Sequence, residues 1–296
     1  MKRILILAVA IMTACSGSKN EFDATGTFEA TEITVSAEQN GRLLRFDITE
    51  GMQLKALQQV GLIDTVQLAL QARALGATKE SIANQRPDLT KQIAATRQQL
   101  MKAEMEQQRF ENLVKDHAAN QKQLDDAISA VNVLKKQLEA QVSALNNTTQ
   151  SLNSQMNATD IQRLQVLDQL QKCHISTPIA GTVLSKYMEP GEFVTIGKPL
   201  FKMADIENMY LRAYITSSQL ARVKIGQDMK VFADFGGGDR KEYQGVVTWI
   251  SEHSEFTPKT ILTNDERADL VYAVKIAVKN DGFIKIGMYG EVKIID

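Results

Sequence analysis

The sequence is poor in the residues that staple, bend or ligate. Two cysteines among 296 residues, Cys15 and Cys173, exclude a disulfide framework. His117, His174 and His253 are the only histidines, and they fall on separate stretches. The adjacent pair Cys173-His174 lacks the spacing of a metal finger, and eleven methionines are ordinary filling for a core or a helical seam. No metal and no cofactor is therefore expected. The net charge is −1 and the pI is about 6.4, so no basic field exists to hold nucleic acid. The chain has no G-x-S-x-G, P-loop, H-E-x-x-H or dinucleotide fingerprint. Serine, histidine and aspartate occur, but no pattern gathers them, and a binding or mechanical role is expected rather than an enzyme.

The scarcity is sharpest between Thr65 and Lys172, which hold one glycine (Gly76), one proline (Pro87) and one aromatic residue (Phe110). Helix breakers and bulky core residues are kept out. In the second half Leu124, Ile128, Val131, Leu134, Leu138, Val142 and Leu145, then Leu152, Met156, Leu164 and Leu167, step by threes and fours or their sums. That spacing predicts one narrow apolar helical stripe. Leu89, Ile93, Leu100, Ala103, Phe110 and Leu113 repeat it more weakly. Two antiparallel helices in a coiled coil follow over 65–172. The turn falls near Asp116 to Asn120, because Asn120 and Gln123 have the spacing of an N-cap with its reciprocal partner. Each arm of about 50 residues would reach roughly 75 Å at 1.5 Å per residue. Pro87 should interrupt the first arm or begin a new helical segment.

Met1-Lys2-Arg3 and the apolar run Ile4 to Met12 form an export leader too short to span a bilayer comfortably. Thr13-Ala14-Cys15 then resembles a bacterial lipobox, which predicts a signal peptide over 1–14, lipidation of Cys15 and a polar tether over 15–32. An ordinary export signal that happens to contain a cysteine is the plainer alternative.

An offset of 140 positions aligns Val35 with Ile175, Ser36 with Ser176, Gly41 with Gly181, Leu44 with Leu184, Gly51 with Gly191 and Leu54 with Val194. Each half reads as short strands with turns at its glycines, and Pro190 sets φ ahead of Gly191. Neither half is large enough to bury an apolar face alone. The halves 33–64 and 173–205 are thus expected to form one β-sandwich, with the hairpin as an insertion. From residue 206 to 296 longer alternating strands appear, clearest at Tyr272, Val274, Ile276 and Val278. Five strands, a short helix at Ser217–Val223, a turn at Gly236–Asp239 and a polar loop over Glu255–Arg267 predict a small β-barrel. The fold class is α+β.

The split halves, the hairpin between them and the following barrel resemble the HlyD-type periplasmic adaptors, or membrane fusion proteins, of tripartite efflux and secretion systems. The stretch Ile175-Ser-Thr-Pro-Ile-Ala-Gly-Thr-Val183, with Glu189-Pro-Gly191 and Gly197-Lys-Pro-Leu200, is similar to the family's most recognisable segment. The resemblance implies a lipoyl-like sandwich, a hairpin tip that meets an outer-membrane channel, β-domains around an inner-membrane transporter, and assembly of several copies in a ring. It implies a periplasmic location with the lipid at Cys15 in the inner membrane. The family's tip pattern is arginine, leucine four residues on and serine seven beyond; here these are Arg109, Leu113 and Asn120, with asparagine in place of serine. On local sequence alone, Arg109 also reads as a solvated cation, Leu113 as a seam residue and Asn120 as a helix cap. The loop from Glu255 to Thr263 with Glu266-Arg267 looks like that of adaptors serving ABC-type exporters, the alternative being a proton-driven, RND-type pump. Gly41, Gly51, Gly181 and Gly191 are expected as structural turns.

Lipoyl and biotinyl carriers share this kind of sandwich, which makes an acyl or carboxyl carrier a further reading. In such carriers a lysine stands at a tight hairpin tip. Here the long helical hairpin takes that place, and Met101-Lys102 and Met229-Lys230 fall in a predicted helix and strand.

Overall fold

The computed structural model describes residues 22–237, 239–256 and 270–295. The leader, Cys15 and most of the loop expected over Glu255–Arg267 lie outside the described residues. The chain divides into a β unit, formed by residues up to Leu62 and from Ile175, and a helical unit from Ile63 to His174.

Six strands of the β unit close on themselves. They are β1 (Ala24–Ser36), β8 (Pro199–Thr216), β12 (Leu270–Lys279), β10 (Arg240–Ile250), β9 (Asp228–Asp234) and β13 (Tyr289–Ile294), each antiparallel to the next, with β13 returning to β1. Alternation explains the barrel's interior: Phe28, Leu211, Ala213, Val231, Ala233, Ile276 and Val292 share one buried core, and their alternate neighbours face outward. Burying each large side chain contributes about 1.5–3 kcal/mol. The short helix over Ser217–Leu220 follows β8, capped by Thr216 and Gln219. The two-residue strand β11 (Glu255–Phe256) pairs with the start of β12.

Two expected boundaries change. The tether over 15–32 becomes strand from Ala24 onward and supplies the sixth barrel strand that residues 206–296 lack. Only Ala24, Phe28 and Ala30 along that stretch are buried, and the threonines and glutamates between them disguise it as a linker. The sandwich does not end at 205 either. β8 runs unbroken from Pro199 to Thr216 and serves both the sandwich and the barrel, as β1 does.

In the sandwich, β2 (Gly41–Phe46) pairs with β7 (Phe193–Val194), while β6 (Gly181–Lys186) pairs with β3 (Gln53–Leu54). Gly41 opposite Val194 becomes, on shifting by 140, Gly181 opposite Leu54. Each half therefore lends a strand to the other, and a quasi-twofold axis relates them. Main-chain hydrogen bonds repeat the exchange: Gly51 donates to the Val183 carbonyl at 2.8 Å and Gly191 to that of Leu43 at 2.7 Å. Leu57 donates to the Thr177 carbonyl, and its equivalent Gly197 to that of Ala37, both at 2.8 Å. The sheet containing β5 (His174–Ser176) and β4 (Gln59–Ile63) runs β5-β4-β2-β7 and answers the β1-β8-β6-β3 end of the larger sheet. Neither half has a core without its mate, as the repeat requires.

The helical unit is a hairpin of three helices rather than two. Its first arm is split into α1 (Val66–Asn84) and α2 (Leu89–Lys115); α3 (Gln121–Lys172) is the continuous second arm. Pro87 lies in the break, because it lacks an N–H and disfavours the helical conformation at Arg86. Asp88 then restarts the helix by accepting from the Lys91 N–H at 3.1 Å.

The seam is narrower than apolar spacing alone suggests. Val131, Leu152, Thr159 and Val166 are buried, all on a seven-residue repeat, whereas Leu164 is 56% exposed. Steps of three and four from Val131 lead through Thr149 and Thr159 to Val166, so polar residues fill seam positions and Leu164 falls outside it. Ile93 and Thr96 are the buried positions of α2. Polar pairs bind the arms: Thr96 donates to Gln141 at 2.8 Å, and Lys79 meets Asp160 at 2.7 Å. A sustained 3.5-residue period imposes a left-handed supercoil.

Candidate functional site

The hairpin tip is built from two helix ends that satisfy their own backbone groups. At the C-terminus of α2 the Ala118 N–H reaches back to the Leu113 carbonyl at 2.8 Å, and the His117 N–H to that of Val114 at 3.1 Å. These bonds make a Schellman motif in which His117 takes the left-handed conformation at φ 54°, where glycine is usual. At the N-terminus of α3, Asn120 Oδ1 accepts from the Gln123 N–H at 2.9 Å, and Gln123 Oε1 accepts from the Asn120 N–H at 3.2 Å. The expected capping box is present.

Arg109 and Leu113 lie one turn apart on α2, so their side chains share a face. Arg109 is 68% exposed and 3.6 Å from Glu106, a solvated pair that contributes little to stability. Leu113 is half-buried beside the seam, and Asn120 is exposed. With Oδ1 committed to the cap, Asn120 has its side-chain N–H groups to offer a partner. The tip thus carries a cation, an apolar shoulder and an amide on a self-satisfied turn. The resemblance pointed to Arg109, Leu113 and Asn120, and spacing independently gave the Asn120 cap; neither pointed to His117, because histidine carries no signal for a left-handed helix end.

The four glycines divide into two pairs. Gly51 and Gly191 sit in tight turns at φ 82° and 97°, with open space where a Cβ would go. Gly41 and Gly181 open strands rather than occupy turns. At Gly181 the requirement is closeness: a Cβ would lie 2.5 Å from the Ala204 carbonyl oxygen on β8. Among the described residues no group of three or more His, Cys, Asp or Glu is placed to hold a metal ion, and no helix is long and apolar enough to cross a membrane. Cys173 is a buried thiol; desolvation first, and then the Asp64 carboxylate, push its pKa up, the opposite of an activated nucleophile.

A closed six-stranded barrel, a split sandwich exchanged about a quasi-twofold axis, and a helical hairpin inserted between the halves define the membrane fusion protein fold. The chain is similar to the crystal structure of MacA from Actinobacillus actinomycetemcomitans, with TM-score 0.56 and 21% identity over 92% of this chain and 78% of that one. It is also similar to a MacA-MexA chimera carrying the Pseudomonas aeruginosa MexA α-hairpin domain, with TM-score 0.51 and 22% identity over 92% and 81%. The resemblance to HlyD-type adaptors is borne out in the fold. In sequence, 120 residues are 35% identical to a UPF0194 membrane protein of Yersinia pseudotuberculosis, covering 40% of this chain and 36% of that protein. A UPF0194 membrane protein YbhG of Salmonella paratyphi B matches at 34% over 128 residues, or 43% and 38%. The matched region spans little more than a third of these curated relatives. No protein-family model matches the chain.

Proposed function

We propose that the protein is a non-enzymatic periplasmic adaptor that bridges an inner-membrane transporter to an outer-membrane channel. The observation that carries this reading is the combination of a stiff capped hairpin with a β unit of the membrane fusion protein fold. A 52-residue α3 is about 78 Å long at 1.5 Å per residue, and the tip at its start leaves the Arg109 guanidinium and the Asn120 side-chain N–H groups exposed. The β unit seats on the transporter, several copies pack into a ring, and Arg109, Leu113 and Asn120 engage the channel. Cys15 carries the lipid that holds the protein to the inner membrane. An ABC-type exporter is the favoured partner, supported by the resemblance of the loop beginning at Glu255; an adaptor of an RND-type pump is the alternative. The transported compound is unassigned.

The test is Arg109→Asp, which reverses an exposed charge with only a weak internal partner. Folding and membrane association should be unchanged, while channel cross-linking from the tip falls at least tenfold. Unchanged cross-linking together with unchanged transport refutes the tip assignment.

A further inference from the structure

The quasi-twofold axis of the sandwich exchanges its two sheets, so the outer face of β2 and β7 and the outer face of β6 and β3 are equivalent and look in opposite directions. The barrel covers the second of these. Thr182 there is buried, and Leu184 packs against the barrel core. The first is open. Leu44, the mate of Leu184, is 49% exposed; Phe193, the mate of Gln53, is 67% exposed; and Ile196, the mate of Ala56, is 61% exposed. Equivalent positions thus carry larger apolar side chains on the open face than on the covered one. β2 gathers them: Phe193 stands opposite Arg42, Leu44 follows two residues on along the same face, and the Ile196 N–H is held by Asn40 Oδ1 at 2.8 Å. Single exposed apolar residues are ordinary, whereas a cluster of this kind marks a contact surface.

The covered face is not sealed. Where β8 bulges over Ile206–Asn208, between the pairs Thr31–Asp205 and Ala30–Met209, a cleft of about 400 Å³ opens beside β3 and β6. Leu54, Gly181 and Ile206 line its inner part, and Gln53, Lys55 and Glu207 are its exposed rim. Arg42, Lys55 and Glu207 stand in no ion pair among the described residues. We propose that Phe193 of one copy enters this cleft in the next copy, with Arg42 reaching Glu207 and with Leu44 and Ile196 closing over the rim. Lys55 stays at the solvent edge. A second copy is the occupant because knob and cleft belong to opposite faces of one domain, so that the contact is heterologous and repeats from copy to copy around a ring. The cleft is large enough for a phenyl ring, and the charges that meet are opposite in sign. The three apolar side chains cover less than the roughly 800 Å² per partner of a free-standing complex, so the contact is weak singly and populated as the ring closes. The inference deepens the reading that several copies pack into a ring and rests on it.

The test uses two full-length chains in mild detergent, one with Thr195→Cys beside the knob and one with Lys55→Cys at the rim of the cleft, both exposed positions. The parent chain, whose Cys173 is buried, sets the background. A short bismaleimide should join the mixed chains into dimers at least fivefold more than it joins either chain alone. Phe193→Gln, which places the mate's residue at an exposed position, should lower that yield at least fivefold when added to the Thr195→Cys chain. A chain carrying both cysteines should give a ladder beyond the dimer. No mixed dimer above background overturns the proposal, and so does a yield that Phe193→Gln leaves unchanged. Equal dimer from Thr195→Cys alone also overturns it, because the open face would then meet itself. Co-purification separates the readings: a transporter and a channel recovered without mixed dimer keep the adaptor and lose this contact, and mixed dimer without them does the reverse.

Discussion

Leu57 and Gly197 occupy equivalent positions of the quasi-twofold sandwich, at φ 59° and 83°, and offer a direct measure of backbone strain. Leu57 is 82% exposed, so its side chain stabilises the fold through little burial, while its left-handed conformation costs about 1–2 kcal/mol. Replacing it with glycine removes that cost but returns about 0.5–1 kcal/mol to the unfolded chain as entropy. Leu57→Gly should therefore stabilise the β unit by about 0.5–1 kcal/mol. At Gly197 a Cβ would meet nothing within 4 Å, so Gly197→Ala isolates the same backbone term with opposite sign and should destabilise by a similar amount. Urea unfolding followed by Trp249 fluorescence reads both, since the sole tryptophan lies in the barrel that shares β1 and β8 with the sandwich. At a slope near 2 kcal/mol per molar, the midpoints should move by about 0.3–0.5 M in opposite directions. A loss of more than about 1 kcal/mol for Leu57→Gly would refute the reasoning, because it would mean the leucine side chain holds the fold together.

Other substitutions separate closeness, capping and ionisation. Gly181→Ala drives a Cβ into the main chain of β8 and should cost about 3 kcal/mol or more, whereas Gly51→Ala, with open space, should cost about 1 kcal/mol; comparative urea midpoints check the ranking. Asn120→Ala removes the capping box and should lower hairpin stability by about 1 kcal/mol in a circular-dichroism melt, while Asn120→Ser, which restores an accepting oxygen, stays within a few tenths. Tyr243 is buried and donates to Asp281 at 2.9 Å; desolvation first, then that bond and the carboxylate's charge, push its phenol up to about 12. Because an unfolded tyrosine ionises near 10, this group's contribution is whole below pH 10 and is lost as pH rises from about 10 to 12. Burial first, and then Glu29, raise the Tyr210 phenol as well, so ultraviolet titration should show late tyrosinate absorbance that is reduced, not abolished, in Tyr243→Phe, and stability of that variant should fall less steeply over the same range.

The exchanged sandwich was legible because its turns demand particular residues: Gly51 and Gly191 recur at the same offset, and the apolar positions follow the same register. The equivalent turn at Leu57 was not, since leucine gives no sign of a left-handed backbone. β1 was hidden by its own alternation, three small or aromatic inward residues among threonines and glutamates that a composition reading takes for a linker. In the hairpin, periodicity revealed the arms and the Asn120 cap, but counting only apolar residues admitted Leu164 and passed over Thr159. A seam position is defined by spacing, and a threonine that returns its hydroxyl to the preceding turn, as Thr159 does to the Gln155 carbonyl at 2.9 Å, can fill one. The tip residues Arg109 and Leu113 came from resemblance, since their local chemistry fits a solvated face equally well.

The central claim, that the chain couples a transporter to a channel, is tested most directly by purifying it from its own membranes in mild detergent and identifying what accompanies it. The account predicts an inner-membrane transporter and an outer-membrane channel together, with the transporter's type deciding between ATP-driven and proton-driven export. Recovery with cytoplasmic carboxylase or dehydrogenase subunits, the N-terminus uncleaved and a lysine acylated, would contradict it and restore the carrier reading.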